Sequence, residues 1–266
     1  MEREQMPEEA LRDHTLNLFS LADETFMVTG ASSGLGVEAS RILHRFGAKL
    51  VLVARRKDRL ERLSEELPGS VPYACDLSES AAIDKLWKFC DSEVGLVTGL
   101  VNNAGVSHAA SALDETDEEF RAVVEVNLNA VFSMSRRFAQ RLVAVQRAGV
   151  IVNVASIFGI VGSGQVPLAS YSASKAGVVN LTRELAIQWA RHSIRVNAVA
   201  PGWFHSEMTS EMFEDDGAMH WIQQRTPLGR PGNTGELDGA FIYLASRASS
   251  YVTGQTLVVD GGWSTL

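Results

Sequence analysis

Phe26-Met27-Val28-Thr29-Gly30-Ala31-Ser32-Ser33-Gly34-Leu35-Gly36 runs from an apolar triplet into a glycine-rich turn, and a helical pattern over 37–46 follows it. Glycines at such a junction permit a tight turn and let backbone N–H groups approach a pyrophosphate at the positive end of a helix. The spacing is G-x-x-x-G-x-G rather than the commoner G-x-G-x-x-G. Strand, loop and helix in this order make a dinucleotide site the expectation, with Gly30, Ser32, Ser33, Leu35 and Gly36 against the cofactor. The alternative is a turn whose glycines serve only the backbone.

The same alternation continues outward. Apolar runs at 50–53, 71–75, 96–101, 150–154 and 194–199 read as strands buried on both faces, and 256–259 as a last strand. Segments 57–67, 81–90, 118–142 and 171–189 carry helical periodicity. Strands and helices in turn mean an α/β fold: a Rossmann-like, doubly wound parallel sheet with right-handed crossovers and helices on both faces.

The chain has 266 residues, 45% hydrophobic and 21% charged, which suits one soluble globular domain and excludes disorder as its main state. The expected organisation is an acidic, polar N-terminal extension over 1–24, frayed or helical at its start, and a single domain over 25–266. Segment 203–230, rich in Met, Phe and Trp, follows a strand end at Pro201-Gly202 and reads as a substrate lid or as a surface loop. A net charge of −8 argues against a nucleic-acid or anionic-membrane partner while leaving room for a local phosphate pocket. Cys75 and Cys90 suggest neither a disulfide framework nor a metal site. No apolar signal region or bilayer-length stretch is present, so the cytoplasm is the expected compartment.

The second strand ends at Ala54-Arg55-Arg56, where an NAD enzyme would place an acid to hold the ribose 2′-hydroxyl. Ala54 leaves room for a 2′-phosphate and Arg55 offers it a charge-assisted partner, so NADP(H) is the expected cofactor, with NAD(H) the alternative. Arg56 is either a second cofactor contact or a solvated charge at a helix start. Tyr171 and Lys175 stand at i and i+4 on a helical segment and share a face. One positive charge at roughly 5 Å, with an effective dielectric of about 20, favours a phenolate by ~3 kcal/mol, or ~2 pKa units. Such a pair exchanges protons with an alcohol or carbonyl oxygen.

With Thr29 to Gly36, Asn102-Asn103-Ala104-Gly105, Asn127, Ser156, Tyr171, Lys175 and Pro201-Gly202 in this order, the chain resembles the short-chain dehydrogenase/reductase family over 26–263. The resemblance implies a seven-stranded sheet, a nicotinamide cofactor and an Asn-Ser-Tyr-Lys catalytic group. It further implies a homotetramer, or a homodimer, built through long helices and the C-terminal strand. Carried over by position, Tyr171 is the general acid in reduction. Lys175 lowers the Tyr171 pKa and holds the nicotinamide ribose. Ser156 orients the substrate oxygen, and Asn127 kinks its helix and holds a water that links Lys175 to solvent.

Asp76 and Leu77 match positions that meet adenine. Asn103, Ala104 and Gly105 match those along the cofactor ribose, and Pro201, Gly202 and Phe204 those beside the nicotinamide carboxamide. Ser206 stands where the family often has threonine. Segment 157–170 looks longer than in many relatives and forms a wall of the family's substrate pocket, so the substrate is not inherited with the fold. Candidate pocket contacts are Ile157, Phe158, His108 and Gln165, with Trp203, Met208, Met212, Phe213 and Trp221 as apolar walls. The functional expectation is interconversion of a ketone and a secondary alcohol by hydride transfer, with no metal and a small-molecule substrate. Competing readings are a sugar-acid or polyol dehydrogenase, a 3-oxoacyl-type ketoreductase, and a non-catalytic NADP(H) sensor.

Overall fold

The computed structural model describes residues 16–265. Among the described residues there are seven strands: β1 Thr25–Thr29, β2 Lys49–Ala54, β3 Val71–Ala74, β4 Gly99–Asn102, β5 Gly149–Val154, β6 Ile194–Pro201 and β7 Thr256–Val259. They form one sheet in the order β3-β2-β1-β4-β5-β6-β7, every pair parallel. Strand order reverses between β1 and β4, so their carboxyl ends diverge and open a crevice there.

Period-two alternation sends neighbouring side chains to opposite faces, and both faces are covered. Phe26, Val28, Leu50 and Leu52 pack on one side under helices α1 (Gly34–Arg45) and, later in the chain, Asp238–Ala245. Met27, Val51 and Val53 pack on the other, with Trp87 and Phe138 from helices α3 (Ser80–Phe89) and α5 (Ala130–Ala144). Between these lie α2 (Lys57–Glu66) and α4 (Asp117–Val124). Each fully buried Leu or Phe contributes about 1.5–3 kcal/mol, which makes the central strands the stable frame of the molecule.

The segment expected as one helix over 118–142 is three pieces. A π-helical turn, Glu125–Asn129, separates α4 from α5 and puts the fully buried Asn127 where an α-helix would have turned it elsewhere. The fourth strand starts at Gly99, later than periodicity suggested, because another π turn over Cys90–Val94 ends at Gly95 with φ of +92°. The third ends one residue early, at Ala74.

Of the expected N-terminal extension, residues 1–15 lie outside the described residues. Residues 16–24 pack onto the domain: Leu21 is buried and its N–H donates to Phe46 O at 2.8 Å, while Ala248 N–H donates to Leu18 O at 3.1 Å. The segment expected as a lid carries two short helices, α7 Ser210–Glu214 and α8 Asp216–Arg225, ahead of α9 Asp238–Ala245. The long helix α6, Ala169–Trp189, lies between β5 and β6 in the chain and brings Tyr171 into its first turn. Among the described residues no helix is long and apolar enough to cross a membrane.

Candidate active site

The glycine loop is fixed from beneath by β4. Thr29 Oγ1 donates to Val101 O and accepts from Asn103 N at 3.0 Å and Ala104 N at 3.1 Å, while Asn103 Nδ2 donates to Thr29 O at 3.0 Å. Gly30 adopts φ of +68°, and a Cβ there would lie 2.8 Å from Ala104 Cα. Gly36 faces the other way: a Cβ on it would strike Gly30 O. Gly36 therefore lets α1 seat against the loop and does not line the cleft, whereas Gly30, Ser32, Ser33 and Leu35 do.

A cleft of about 400 Å³ runs from this loop across the carboxyl ends of the strands. Arg55, Arg56, Asp76 and Leu77 line its adenosine-like end, and Asn103, Ala104 and Gly105 its middle. Ser156, Tyr171, Lys175, Pro201, Gly202 and Phe204 close the far end, while Ser206 lines the cleft beside Gly34 of the glycine loop. Arg55 is exposed, and its charge joins two hydrogen bonds from Ser78 in holding the Asp76 carboxyl below its ordinary range. Arg56 is not merely solvated: it donates to Ser33 Oγ at 2.8 Å and to Ser32 Oγ at 3.1 Å, and pairs with Glu207 at 2.8 Å.

The donor set suits a dinucleotide. Ser33 makes no side-chain capping bond to α1, so the first-turn N–H groups of that helix stay available to a phosphate. Serine hydroxyls and two guanidinium groups stand within the same cleft. Among the described residues, no group of three or more His, Cys, Asp or Glu is arranged to hold a metal ion.

At the far end, Tyr171 and Lys175 face the cleft from one side of α6, with the Lys175 Nζ 5.7 Å from the centre of the Tyr171 ring. Lys175 is buried and donates to Val154 O at 2.7 Å. Burial pushes its pKa down to about 8, since no carboxylate compensates the lost hydration. Burial likewise pushes the Tyr171 phenol up, against the opposing hydrogen bond to Ser156. The shift of the phenol follows desolvation and the Ser156 hydrogen bond, not the Lys175 charge that the Tyr-x-x-x-Lys spacing suggests. Ser156 opens the turn Ile157–Gly159, and its Oγ accepts from Phe158 N at 3.2 Å while lining the cleft, so it both caps and faces the site.

Asn127 braces the site from behind. Its Oδ1 accepts from Val106 N at 2.8 Å, and its Nδ2 donates to Val106 O at 2.9 Å and Ser174 Oγ at 3.1 Å. Both side-chain N–H hydrogens are therefore committed to protein partners. A Cβ on Gly105 would enter the space between Asn127 and Lys175, 3.3 Å from Asn127 Oδ1 and 3.5 Å from Lys175 Nζ.

Of the expected substrate contacts, only Met208 lines the cleft. Ile157, Phe158, Trp203, Met212 and Phe213 sit in an apolar cluster with Ile222 and Trp263, against which the Tyr171 ring packs. Phe158 and Trp263 both meet Trp203 edge to face, with ring centres 5.7 and 6.0 Å apart, so mutual packing occupies these rings. His108 pairs with Glu119 at 3.3 Å outside the cleft, and Gln165 is exposed on its loop. Sequence reading missed Glu207 and Thr209, both of which line the cleft. Nothing in the local pattern marks Glu207, because its partners lie 151 and 148 positions earlier, at Arg56 and Arg59.

Residues 30–264 match a family model described as Enoyl-(Acyl carrier protein) reductase. A galactitol 2-dehydrogenase (L-tagatose-forming) of Cereibacter sphaeroides is 39% identical over 249 residues, covering 93% of this chain and 97% of the relative. A short-chain type dehydrogenase/reductase from Mycobacterium marinum superposes with a TM-score of 0.89 at 33% identity, covering 93% of this chain and 98% of that one. A gluconate 5-dehydrogenase from Burkholderia cenocepacia, solved with NADP and tartrate, gives a TM-score of 0.89 at 33% identity, covering 95% of this chain and all of the other, at 100%.

Proposed function

Because this chain belongs to the short-chain dehydrogenase/reductase family, we propose that it is an NADP(H)-dependent oxidoreductase interconverting a ketone and a secondary alcohol, with Tyr171 as the acid–base group. The observation that carries this is the cleft itself. Anion donors, Ser32, Ser33 and Arg56, stand at one end, and Tyr171, Ser156 and Lys175 converge at the other. NADP bound in the Burkholderia relative supports the cofactor, as do Ala54 and Arg55 where an acid would exclude a 2′-phosphate.

The nicotinamide, when bound, supplies or accepts the hydride. In reduction, Tyr171 Oη gives its proton to the substrate carbonyl oxygen, leaving a phenolate, while the carbonyl carbon gains the hydride. Ser156 Oγ donates a hydrogen bond to the same oxygen and stabilises its developing charge. Lys175 stabilises the phenolate from one helical turn away, held in place by Val154 O. The phenol carries its proton near neutral pH, and burial, which pushes its pKa up, favours that form further. In oxidation the same groups act in reverse.

For substrate, the reading is a polyhydroxylated compound, a polyol or sugar acid and its keto form. Its support is the names of the galactitol and gluconate relatives, not the composition of the cleft wall. The proposal extends to 203–230 as a lid, to a homotetramer and to the cytoplasm. The test is NADPH oxidation against keto-sugars, keto-sugar acids, simple ketones and 3-oxoacyl thioesters. Tyr171→Phe is expected to lose about 10²–10⁴-fold in kcat with NADPH affinity unchanged. Full turnover in that variant would remove Tyr171 from the acid role. Tight NADPH binding with no turnover on any substrate would favour a sensor.

A further inference from the structure

Glu207 sits on the strap after β6, one residue beyond Ser206, whose Cβ lies 3.1 Å from where a Cβ on Gly34 of the glycine loop would stand, and its carboxylate meets the start of α2. Its Oε2 lies 2.8 Å from Arg56 Nη2, and its Oε1 pairs with Arg59 in the first turn of α2. Arg56 is bonded at the same time to Ser32 and Ser33 of the glycine loop. The strap does not need this contact to keep its shape, because Ser206 N donates to Thr209 Oγ1 at 3.0 Å and Thr209 Oγ1 donates to Phe204 O at 2.7 Å. The Arg56 and Arg59 guanidinium groups and the Ser33 hydroxyl meet the Glu207 carboxylate, the arrangement that recognises a phosphate monoester.

We propose that Glu207 is an internal stand-in for the adenosine 2′-phosphate on an anion site made by Arg56, Arg59 and Ser33. NADP(H) takes over this site and displaces the carboxylate; NAD(H), with a ribose hydroxyl there, leaves the pair intact. The inference rests on the NADP(H) reading and adds Arg59 as a 2′-phosphate ligand and Glu207 as a residue that sets cofactor discrimination. Charge favours the exchange: two guanidinium groups face one negative charge on the carboxylate but close to two on a phosphate monoester near neutral pH. The Glu207 side chain is half exposed, so its contact has the modest strength of a solvated pair and yields to a stronger anion.

The test measures dissociation constants by calorimetry for NADPH, NADH, 2′,5′-ADP and 5′-AMP on the unmodified protein, Glu207→Gln, Glu207→Ala and Arg59→Gln. Both Glu207 variants are expected to bind NADPH and 2′,5′-ADP about three- to tenfold more tightly, with NADH and 5′-AMP unchanged. Arg59→Gln is expected to weaken only the two phosphorylated ligands. Weaker NADPH binding in the Glu207 variants, or equal shifts for NADPH and NADH, would show a clasp over the whole cofactor and overturn the proposal. An unmodified protein that binds NADPH no more tightly than NADH would instead overturn the NADP(H) reading, and the proposal with it. An unmodified protein that prefers NADPH, with Glu207 variants that do not gain, defeats the proposal alone.

Discussion

Burial shifts the titration of the two side chains that the sequence pairs first. Tyr171 and Lys175 are one helical turn apart, and the pair alone suggests a phenol made acidic by its neighbour. In the folded protein desolvation acts on both partners, raising the phenol and lowering the ammonium to about 8 from its ordinary 10.5. The lowered lysine has a consequence for stability. Between about 8 and 10.5 the unfolded chain keeps a proton on Lys175 that the folded protein has released, so this group adds stability as pH rises through that window. The buried Cys75 thiol, pushed up to about 11, works in the opposite sense once the unfolded thiol ionises. Comparison with Lys175→Met isolates the lysine: urea midpoints at pH 7.5 and 9.5 should show the variant's advantage shrinking at the higher pH, by on the order of 1–2 kcal/mol. An advantage that is constant with pH would mean that Lys175 keeps its charge throughout.

At the scale of elements, the glycine loop and the π turn hold the cleft open and aligned. The glycine pattern places position 36 against the cofactor, but its lack of a side chain serves the packing of α1 on Gly30. Gly36→Ala is therefore expected to cost about 1–3 kcal/mol through overpacking and also to weaken NADPH binding, because the displaced atom is the Gly30 carbonyl of the loop itself. Thermal unfolding and a binding titration on the same variant check both parts; a loss of affinity with stability intact would return Gly36 to the cofactor. The π turn at Glu125–Asn129 was legible only as an interruption that the family resemblance implies at Asn127. Its cause is tertiary: Asn127 satisfies both backbone groups of Val106 on the loop after β4, and one extra residue in the turn aims it there.

For the whole molecule, the exposed side of β7 is the feature that one chain does not explain. Parallel strands are ordinarily covered on both faces, yet Leu257 in β7 is 37% exposed and the nearby Tyr251 fully so. The proposed assembly of like chains through the C-terminal strand would cover this side. On that proposal Leu257→Lys is expected to lower the particle mass seen by light scattering, and an unchanged mass would remove this strand from any contact between chains. Sequence by itself determined the strand and helix alternation, the glycine loop, and the order of Asn127, Ser156, Tyr171 and Lys175, because periodicity and short spacings are local and the backbone obeys them locally. Tertiary structure decided what depends on long-range approach. It buried Lys175 without a carboxylate, drew Phe158 and Trp203 into their own aromatic cluster, and brought Glu207 onto Arg56 and Arg59. Those outcomes come from desolvation and from charges that meet only when β6 lies beside β5 and the strap after it reaches back over β1 and β2, distances that no spacing along the chain encodes.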